Sequence, residues 1–340
     1  MPNIRAENKK TQGEAVRRWQ VEGQGEPIGV LRLGEGALGA LRPGELRIRV
    51  AASGIGLPDV LMCRGTYPLA PSLPFTPGQE FVGTVIETGP GVATEVGTRL
   101  MGVAAFMIGH GSFADECITY EAMTFPVGPA LDDASAACFT IGYHTAYLAL
   151  VRRAKLCAGE TVLVHGGAGG TGTAAIQLAH ALGATVIATA GGAEKAEFCR
   201  EMGANVVVDT SARDFVSVVE KHTGGRGADI VFDPVGGAVF ERSVDCIARE
   251  GRLLPIGFAC GRWGVVGVET LAFRNISIVG ALSGGFERTE MLAVHETLLA
   301  LHESGKIAVV IDQRIGFAEI AAGAQRVADR LVRGRIAAML

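Results

Sequence analysis

The sequence predicts an α/β chain in two parts, a barrel-type β domain followed by a doubly wound parallel sheet. Three observations predict this. From Thr161 onward, strand-length apolar runs alternate with helical segments, the pattern of parallel βαβ units. From about Ala15 to Val127, short runs are broken by Gly and Pro at turn spacing, as in all-β barrels. The chain has 340 residues, and a single core stops growing near ~250–300. The expected division is a first domain over 1–130, completed by about 270–340, and a second over 131–269.

Taken in order, Leu46–Ala52 alternates at period two and reads as a half-buried strand. Glu80–Thr88, Arg99–Val103 and Ala114–Thr119 continue the series. The character changes at Asp132. Asp132–Leu150 reads as one helix, with Asp132 or Asp133 as its cap. The alternation then runs strand Thr161–Val164, helix Thr173–Leu182, strand Ala184–Thr189, helix Ala193–Met202 and strand Asn205–Val208. It continues with helix Asp214–His222, strand Asp229–Asp233, helix Val239–Ala248 and strand Arg252–Ile256. Ile276–Leu282 reads as a further strand. The tail holds a helix at about Thr289–Ser304, a strand near Val309–Ile315 and a helix over Phe317–Arg330. Gly334–Leu340 reads as a strand returning to the first domain.

The first strand of the alternating half ends in a glycine cluster that opens a helix. Gly167, Gly169 and Gly172 have the GxGxxG spacing. The first glycine allows a tight turn, the second a close approach of backbone to a pyrophosphate, and the third close helix–sheet packing. The N–H groups around Gly170 and Thr171 and the positive end of the helix dipole would then face the phosphates. This strand–loop–helix–strand order predicts a Rossmann-type dinucleotide site. A tight turn with no ligand is the alternative. An acid at the end of the second strand would bind the ribose of NAD. Here that strand ends Ala190-Gly191-Gly192, with no acid, and Lys195 follows within a turn. Lys195 either meets a 2′-phosphate or is a solvated helix lysine. The neighbouring Glu194 points ~100° away on a helix. NADPH is the expected cofactor.

Composition narrows the class. Hydrophobic residues make up 48% and charged residues 19%, which fits a globular protein. A net charge of −4, with no basic run, argues against a nucleic-acid partner. The most apolar window, Thr173–Ala190, is interrupted by Gln177, His180 and Gly183, so a membrane span is not expected. Met1–Glu14 is polar and reads as a frayed end without a signal core. Seven scattered cysteines without a C-x-x-C pair suggest reduced thiols and a cytoplasmic protein.

Several segments together resemble the zinc-free quinone oxidoreductases of the medium-chain dehydrogenase/reductase superfamily, the branch that includes zeta-crystallin. They are Gly78–Gly83 (GQEFVG), Gly111–Glu116 (GSFADE), Thr145-Ala146-Tyr147, Gly159–Gly172, Gly224–Gly237 (GGRGADIVFDPVGG), Gly251–Phe258 (GRLLPIGF) and Arg274–Gly280 (RNISIVG). The resemblance covers about Ala15 to Leu340. It implies a GroES-like β domain, a Rossmann domain, an active site in the cleft between them and a homodimer formed through the nucleotide domain. Zinc-dependent relatives place a Cys and a His where this chain has Gly56 and Gln79. Cys138 lies near the third ligand position. Catalytic zinc needs three protein ligands, so no metal site is expected.

Without a Lewis acid, hydride transfer suits an acceptor activated by conjugation, a quinone or an α,β-unsaturated carbonyl. The resemblance implies that Tyr67 lines the cleft. Otherwise it is a loop tyrosine packed on Pro68. The family's pocket asparagine and second tyrosine are replaced by Gly56 and Leu61, which makes the pocket larger and less polar. His144 and His110 are the histidines expected nearest the cleft. His144 would act as an acid or be a buried structural histidine, and Thr145 would hydrogen-bond near the nicotinamide. Val235-Gly236 and Gly257-Phe258 follow strands and face the ligand crevice. Thr210 replaces an aromatic residue near the adenine. Arg330 either reaches the 2′-phosphate or is solvated. An enoyl-thioester reductase, for which Arg64 is the one obvious cation near Tyr67, and a non-catalytic NADPH-binding or RNA-binding role are the alternatives.

Overall fold

A computed structural model describes residues 15–340; the reading of Met1–Glu14 lies outside the described residues. The strands are β1 (Val16–Val21), β2 (Leu31–Gly36), β3 (Glu45–Ile55), β4 (Glu80–Thr88), β5 (Arg99–Ala104) and β6 (Glu116–Pro126). Next come β7 (Thr161–Val164), β8 (Thr185–Ala190), β9 (Val206–Asp209), β10 (Ala228–Asp233), β11 (Ile247–Pro255), β12 (Ser277–Ile278), β13 (Ile311–Gly316) and β14 (Arg335–Met339). The helices are α1 (Pro27–Val30), α2 (Leu57–Cys63), α3 (Asp133–Ala136), α4 (Thr140–Tyr147), α5 (Gly170–Ala181) and α6 (Ala193–Glu201). They continue with α7 (Phe215–Thr223), α8 (Gly237–Ser243), α9 (Val268–Arg274), α10 (Arg288–Glu303) and α11 (Ile320–Ala328).

Two six-stranded sheets organise the chain. The first has the order β13-β14-β3-β4-β5-β6 and curls so that β3 also pairs with β6. The second is parallel, β12-β11-β10-β7-β8-β9, with the order reversing beside β7. Ligands of open α/β sheets bind at such a reversal. The expected return of the tail is present: β14 runs antiparallel to β3, with Ile336 opposite Ile55 and Met339 opposite Ala52.

Four differences from the sequence expectations have local causes. The expected helix Asp132–Leu150 is split. Asp132 caps a single turn by accepting from the Ser135 N–H at 2.8 Å, and α4 starts only at Thr140. Beyond Tyr147 the backbone widens to π geometry, the Ala154 N–H reaching the Ala149 carbonyl at 2.8 Å. The expected helix to Ala248 stops at Ser243, and Ile247 and Ala248 belong to β11. The apolar run Ile276–Leu282 yields only the two-residue β12. The short helices α2 and α9 were not expected at all; seven residues are too few to show a period.

One buried cluster runs through both sheets. Val82, Met101 and Phe125 meet Phe139 and Tyr143 at the start of α4, and these meet Val162 and Phe232 in the parallel sheet. Burying a Phe or Met contributes about 1.5–3 kcal/mol each, so this shared core joins the two sheets.

Candidate active site

The strand β7 delivers the chain into the glycine loop. His165, just after it, is wholly buried between two hydroxyls, with Nδ1 3.0 Å from Thr189 Oγ1 and Nε2 2.9 Å from Ser243 Oγ. Ser243 donates its own hydrogen to the Val239 carbonyl at 2.7 Å, so His165 donates through Nε2 and accepts at Nδ1. Burial pushes the imidazole down to about 3. It is a neutral post beneath the loop.

Gly172 is where backbone must come close: a Cβ there would stand 2.3 Å from the Gly166 carbonyl oxygen. Gly169 is exposed, and a Cβ there would make only an ordinary contact, 3.5 Å from the Gly166 carbonyl oxygen. The first α5 bond is from the Thr173 N–H to the Gly169 carbonyl, at 2.8 Å. That leaves the N–H groups of Gly170, Thr171 and Gly172 in the unpaired first turn of a helix, facing the Gly169 side. Gly167, whose Cβ would meet Cys199 Sγ at 2.8 Å, lets α6 pack on the loop.

Residues from distant parts of the chain gather at the ends of the parallel strands. Gly191 and Gly192 leave open space, with nothing within 4 Å of a Cβ at either. The ammonium group of Lys195 donates to the Arg330 carbonyl, and the Arg330 guanidinium reaches the Ala259 carbonyl at 3.3 Å. Arg333 pairs with Glu194 at 2.8 Å, so the acid beside Lys195 is turned away and already held. Partial burial, and then the charge of Arg330, lowers Lys195 below the ordinary lysine range. Thr210 follows β9, and its hydroxyl donates to the Ala190 carbonyl at 3.2 Å. Asp233 was not singled out from the sequence. Buried at the end of β10, it accepts from the Val235 N–H at 2.7 Å and the Gly236 N–H at 3.1 Å, and its carbonyl accepts from Gly257 at 3.3 Å. It thus shapes both loops that carry Val235, Gly236, Gly257 and Phe258. Burial pushes its carboxyl up to about 6. Phe258 packs on Trp263, with ring centroids 4.8 Å apart.

The remaining candidates lie in the first sheet and the turns beside it, where Tyr67 packs against the cluster of Trp19, Phe106 and Phe113. Tyr67, in the turn after α2, is half-buried, and its ring lies 6.2 Å from that of Phe106. Burial raises its phenol above the ordinary value, and the adjacent Gln79 side chain opposes that rise. Asp59 in α2 is buried. It accepts from the Gly56 N–H at 2.9 Å and the Gly78 N–H at 3.1 Å, which ties the start of α2 to the strand entry carrying Gln79. Glu80 forms an ion pair with Arg335 of β14, and it accepts from the Ile141 N–H at 2.7 Å. Arg335 in turn covers the glycine loop, since a Cβ on Gly170 would stand 2.2 Å from its Cδ. Neither Glu80 nor Arg335 was anticipated from the sequence.

The placement of His144 is a correction. It lies on the buried side of α4, 1% exposed, with its Nε2 3.0 Å from Nδ1 of His295 in α10. His295 Nε2 donates to the Pro126 carbonyl at 2.8 Å, so His144 donates to His295. Burial pushes His144 down to about 3, with His295 acting in the same direction. The side chain is a neutral core donor and is not an acid of the cleft. Thr145, the next residue, is half-buried one turn beyond Ile141. His110 is half-buried, in the turn where it bridges to Thr76.

The three positions considered for zinc do not form a ligand set. Gly56 has no side chain and Gln79 is an amide. The Cys138 thiol points at the Ile336 carbonyl at 3.6 Å, and burial pushes it up to about 12. Among the described residues no three His, Cys, Asp or Glu side chains are grouped to hold a metal ion.

Comparison with known proteins agrees with this geometry. The alcohol dehydrogenase GroES-like domain family matches residues 42–129, and the family described as zinc-binding dehydrogenase matches residues 170–304. The second segment contains none of Gly56, Gln79 and Cys138. Quinone oxidoreductase-like protein 2 of Mus musculus is 37% identical over 258 residues, 75% of this chain and 73% of that one. A mycobacterial protein solved in complex with NADPH has a TM-score of 0.88 and 31% identity, covering 95% of this chain and 100% of that one. A quinone oxidoreductase of Pseudomonas syringae has a TM-score of 0.88 and 26% identity, covering 96% and 100%. Among the described residues no helix is long and apolar enough to cross a membrane. The chain belongs to the quinone-oxidoreductase-like branch of the medium-chain dehydrogenase/reductases, an NADPH-linked and zinc-independent family of oxidoreductases.

Proposed function

We propose that this chain is an NADPH-dependent reductase acting on a quinone or an α,β-unsaturated carbonyl, without zinc. The observation that carries the cofactor assignment is the contact of the Lys195 ammonium with the Arg330 carbonyl beyond β8, whose own last residues include no acid, although Asp209 from the end of β9 accepts from the Gly192 N–H at 2.8 Å. The exposed Gly169 and the free first turn of α5 fit the pyrophosphate. Val235, Gly236, Gly257 and Phe258 line the crevice between. NADPH, when bound, supplies a hydride. The protein orients the acceptor, and Tyr67 donates a hydrogen bond to its carbonyl oxygen, where negative charge develops. Thr145 borders the nicotinamide end from α4.

The enoyl-thioester reading stands beside the quinone and enone one. The Arg64 guanidinium bonds both oxygens of Glu26 at 2.8 Å, an exposed ion pair of the kind that is worth little and does not bar a phosphate-bearing arm. The test is oxidation of NADPH by the chelator-treated protein with quinones, enones and enoyl-CoAs, with NADH in parallel. Turnover with quinones or enones and a preference for NADPH is expected, and Tyr67→Phe slows it without weakening NADPH. Turnover with enoyl-CoAs alone would favour the thioester reading. Tight binding without turnover would favour a binding role.

A second copy of the chain is the partner that fits the edge of the parallel sheet. β12 ends the sheet, and Val268, Phe273 and Leu282 around it are 77%, 85% and 67% exposed. An uncovered apolar sheet edge of this kind invites association. Phe273→Asp is expected to halve the sedimentation mass while NADPH binding persists. An unchanged mass would place the contact elsewhere. The seven free thiols fit a cytoplasmic setting.

A further inference from the structure

The strand β8 ends without an acid, but the neighbouring strand brings one to the same turn. Asp209 is the last residue of β9 and pairs across the ladder with Ala190, the last residue of β8. The two backbones are therefore one strand spacing apart, about 4.8 Å. The Asp209 carboxylate reaches into the turn that leads to α6. Its Oδ1 accepts from the Gly192 N–H at 2.8 Å, from the Ser211 N–H at 2.9 Å and from the Ser211 hydroxyl at 2.6 Å. Among the described residues Oδ2 accepts no hydrogen bond. The Ser211 and Gly192 donors hold the carboxyl below the usual carboxylate range, so it is charged near neutral pH. These donors are themselves uncharged and do not cancel that charge. Gly192, which the carboxylate holds, leaves open space, with nothing within 4 Å of a Cβ there, and Lys195 follows in the first turn of α6.

We propose that Asp209 is a specificity-determining residue of the cofactor site: its carboxylate opposes the 2′-phosphate that Lys195 and Arg330 attract, which narrows the preference for NADPH and keeps NADH usable. A phosphate monoester carries close to two negative charges at pH 7, whereas NADH has a neutral hydroxyl at that place. A fixed carboxylate therefore disfavours one cofactor and not the other. Holding the turn does not require the charge. An asparagine would accept from the same N–H groups through its amide oxygen. The proposal rests on the placement of the 2′-phosphate beside β8 argued above.

The test is the affinity of NADPH and NADH, read from the fluorescence of each reduced cofactor, in the natural protein, Asp209→Asn and Lys195→Glu. Asp209→Asn keeps the acceptor for Gly192 and removes the charge. It is expected to tighten NADPH about fivefold, the upper range for an exposed pair of charges, and to leave NADH within about twofold. The gain is expected to fade at about 1 M salt, where charges more than ~3 Å apart are screened. If Asp209→Asn left the ratio of the two affinities unchanged while Lys195→Glu lowered it, the proposal would fall and the phosphate site would stand. Equal weakening of both cofactors by Asp209→Asn would mean that Asp209 only holds the turn, and would also overturn the proposal. A ratio raised by Asp209→Asn but untouched by Lys195→Glu would keep Asp209 at the phosphate and remove Lys195 from it.

Discussion

Lys195→Glu is expected to weaken NADPH about 100-fold while leaving NADH nearly unchanged. The substitution removes a charge-assisted contact, worth ~1.5–3 kcal/mol when formed, and places an anion where the 2′-phosphate would lie. Lys195 is only partly buried, so solvent screening trims the effect. A net loss of ~2–3 kcal/mol corresponds to roughly 100-fold. Lys195 also holds the Arg330 carbonyl, and Arg330 keeps a left-handed backbone with φ 57°. The variant therefore loosens the second cation as well. NADH separates the two causes, because general disorder of the crevice would weaken both cofactors equally. Arg330→Ala is expected to show the same selectivity with a smaller loss, since its side chain is exposed. Binding is read from the fluorescence of each reduced cofactor. Equal losses, or none, would remove Lys195 from the phosphate site.

The glycine loop and the helix it opens were legible in the sequence because they are local. Gly167–Gly172, the acid-free end of β8 and Lys195 lie within thirty residues of one another, and strand–loop–helix order fixes their geometry. Arg330 came only from family resemblance, as nothing in its own segment points toward Lys195. The reaction end depends on contacts that no local pattern encodes. Glu80 and Arg335 are 255 positions apart and belong to different strands. His144 was misplaced for a more instructive reason. A helix with one apolar stripe shows which face is buried, but Thr140, Gly142, Tyr143, His144 and Ala146 are all buried in α4. With no polar face to orient it, the sequence could not tell the side that meets α10 from the side that meets the cleft. Ile276–Leu282 failed in the opposite direction. Its apolar residues suggest a buried strand, yet Ile278 is 38% exposed on a sheet edge.

Arg335→Met is expected to cost about 3–5 kcal/mol of stability, the usual penalty for stranding one member of a buried ion pair. Glu80 is 1% exposed in its side chain and Arg335 11%, so neither charge can turn to water when its partner is lost. Glu80 would keep only the Ile141 N–H as a donor. The reverse variant, Glu80→Leu, strands a guanidinium whose Nε is already unpaired, and a similar loss is expected. The double variant Glu80→Leu/Arg335→Met should be far closer to the natural protein than either single one. An apolar pair needs no compensation, and the net worth of a buried salt bridge is small. Urea denaturation checks the ordering. If the double variant fell by the sum of the two singles, Arg335 would matter for its packing on Gly170 and not for its charge. The ordering bears on function because the pair joins three parts of the cleft: Glu80 from the first sheet, Ile141 at the start of α4, and the glycine loop beneath Arg335. A chain that keeps two buried charges at little net gain in stability gains a fixed distance between the sheet that carries Glu80 and the glycine loop, the loop proposed to receive the phosphates. The double variant is therefore expected to fold and bind NADPH, yet to turn over acceptors more slowly than its stability alone would suggest.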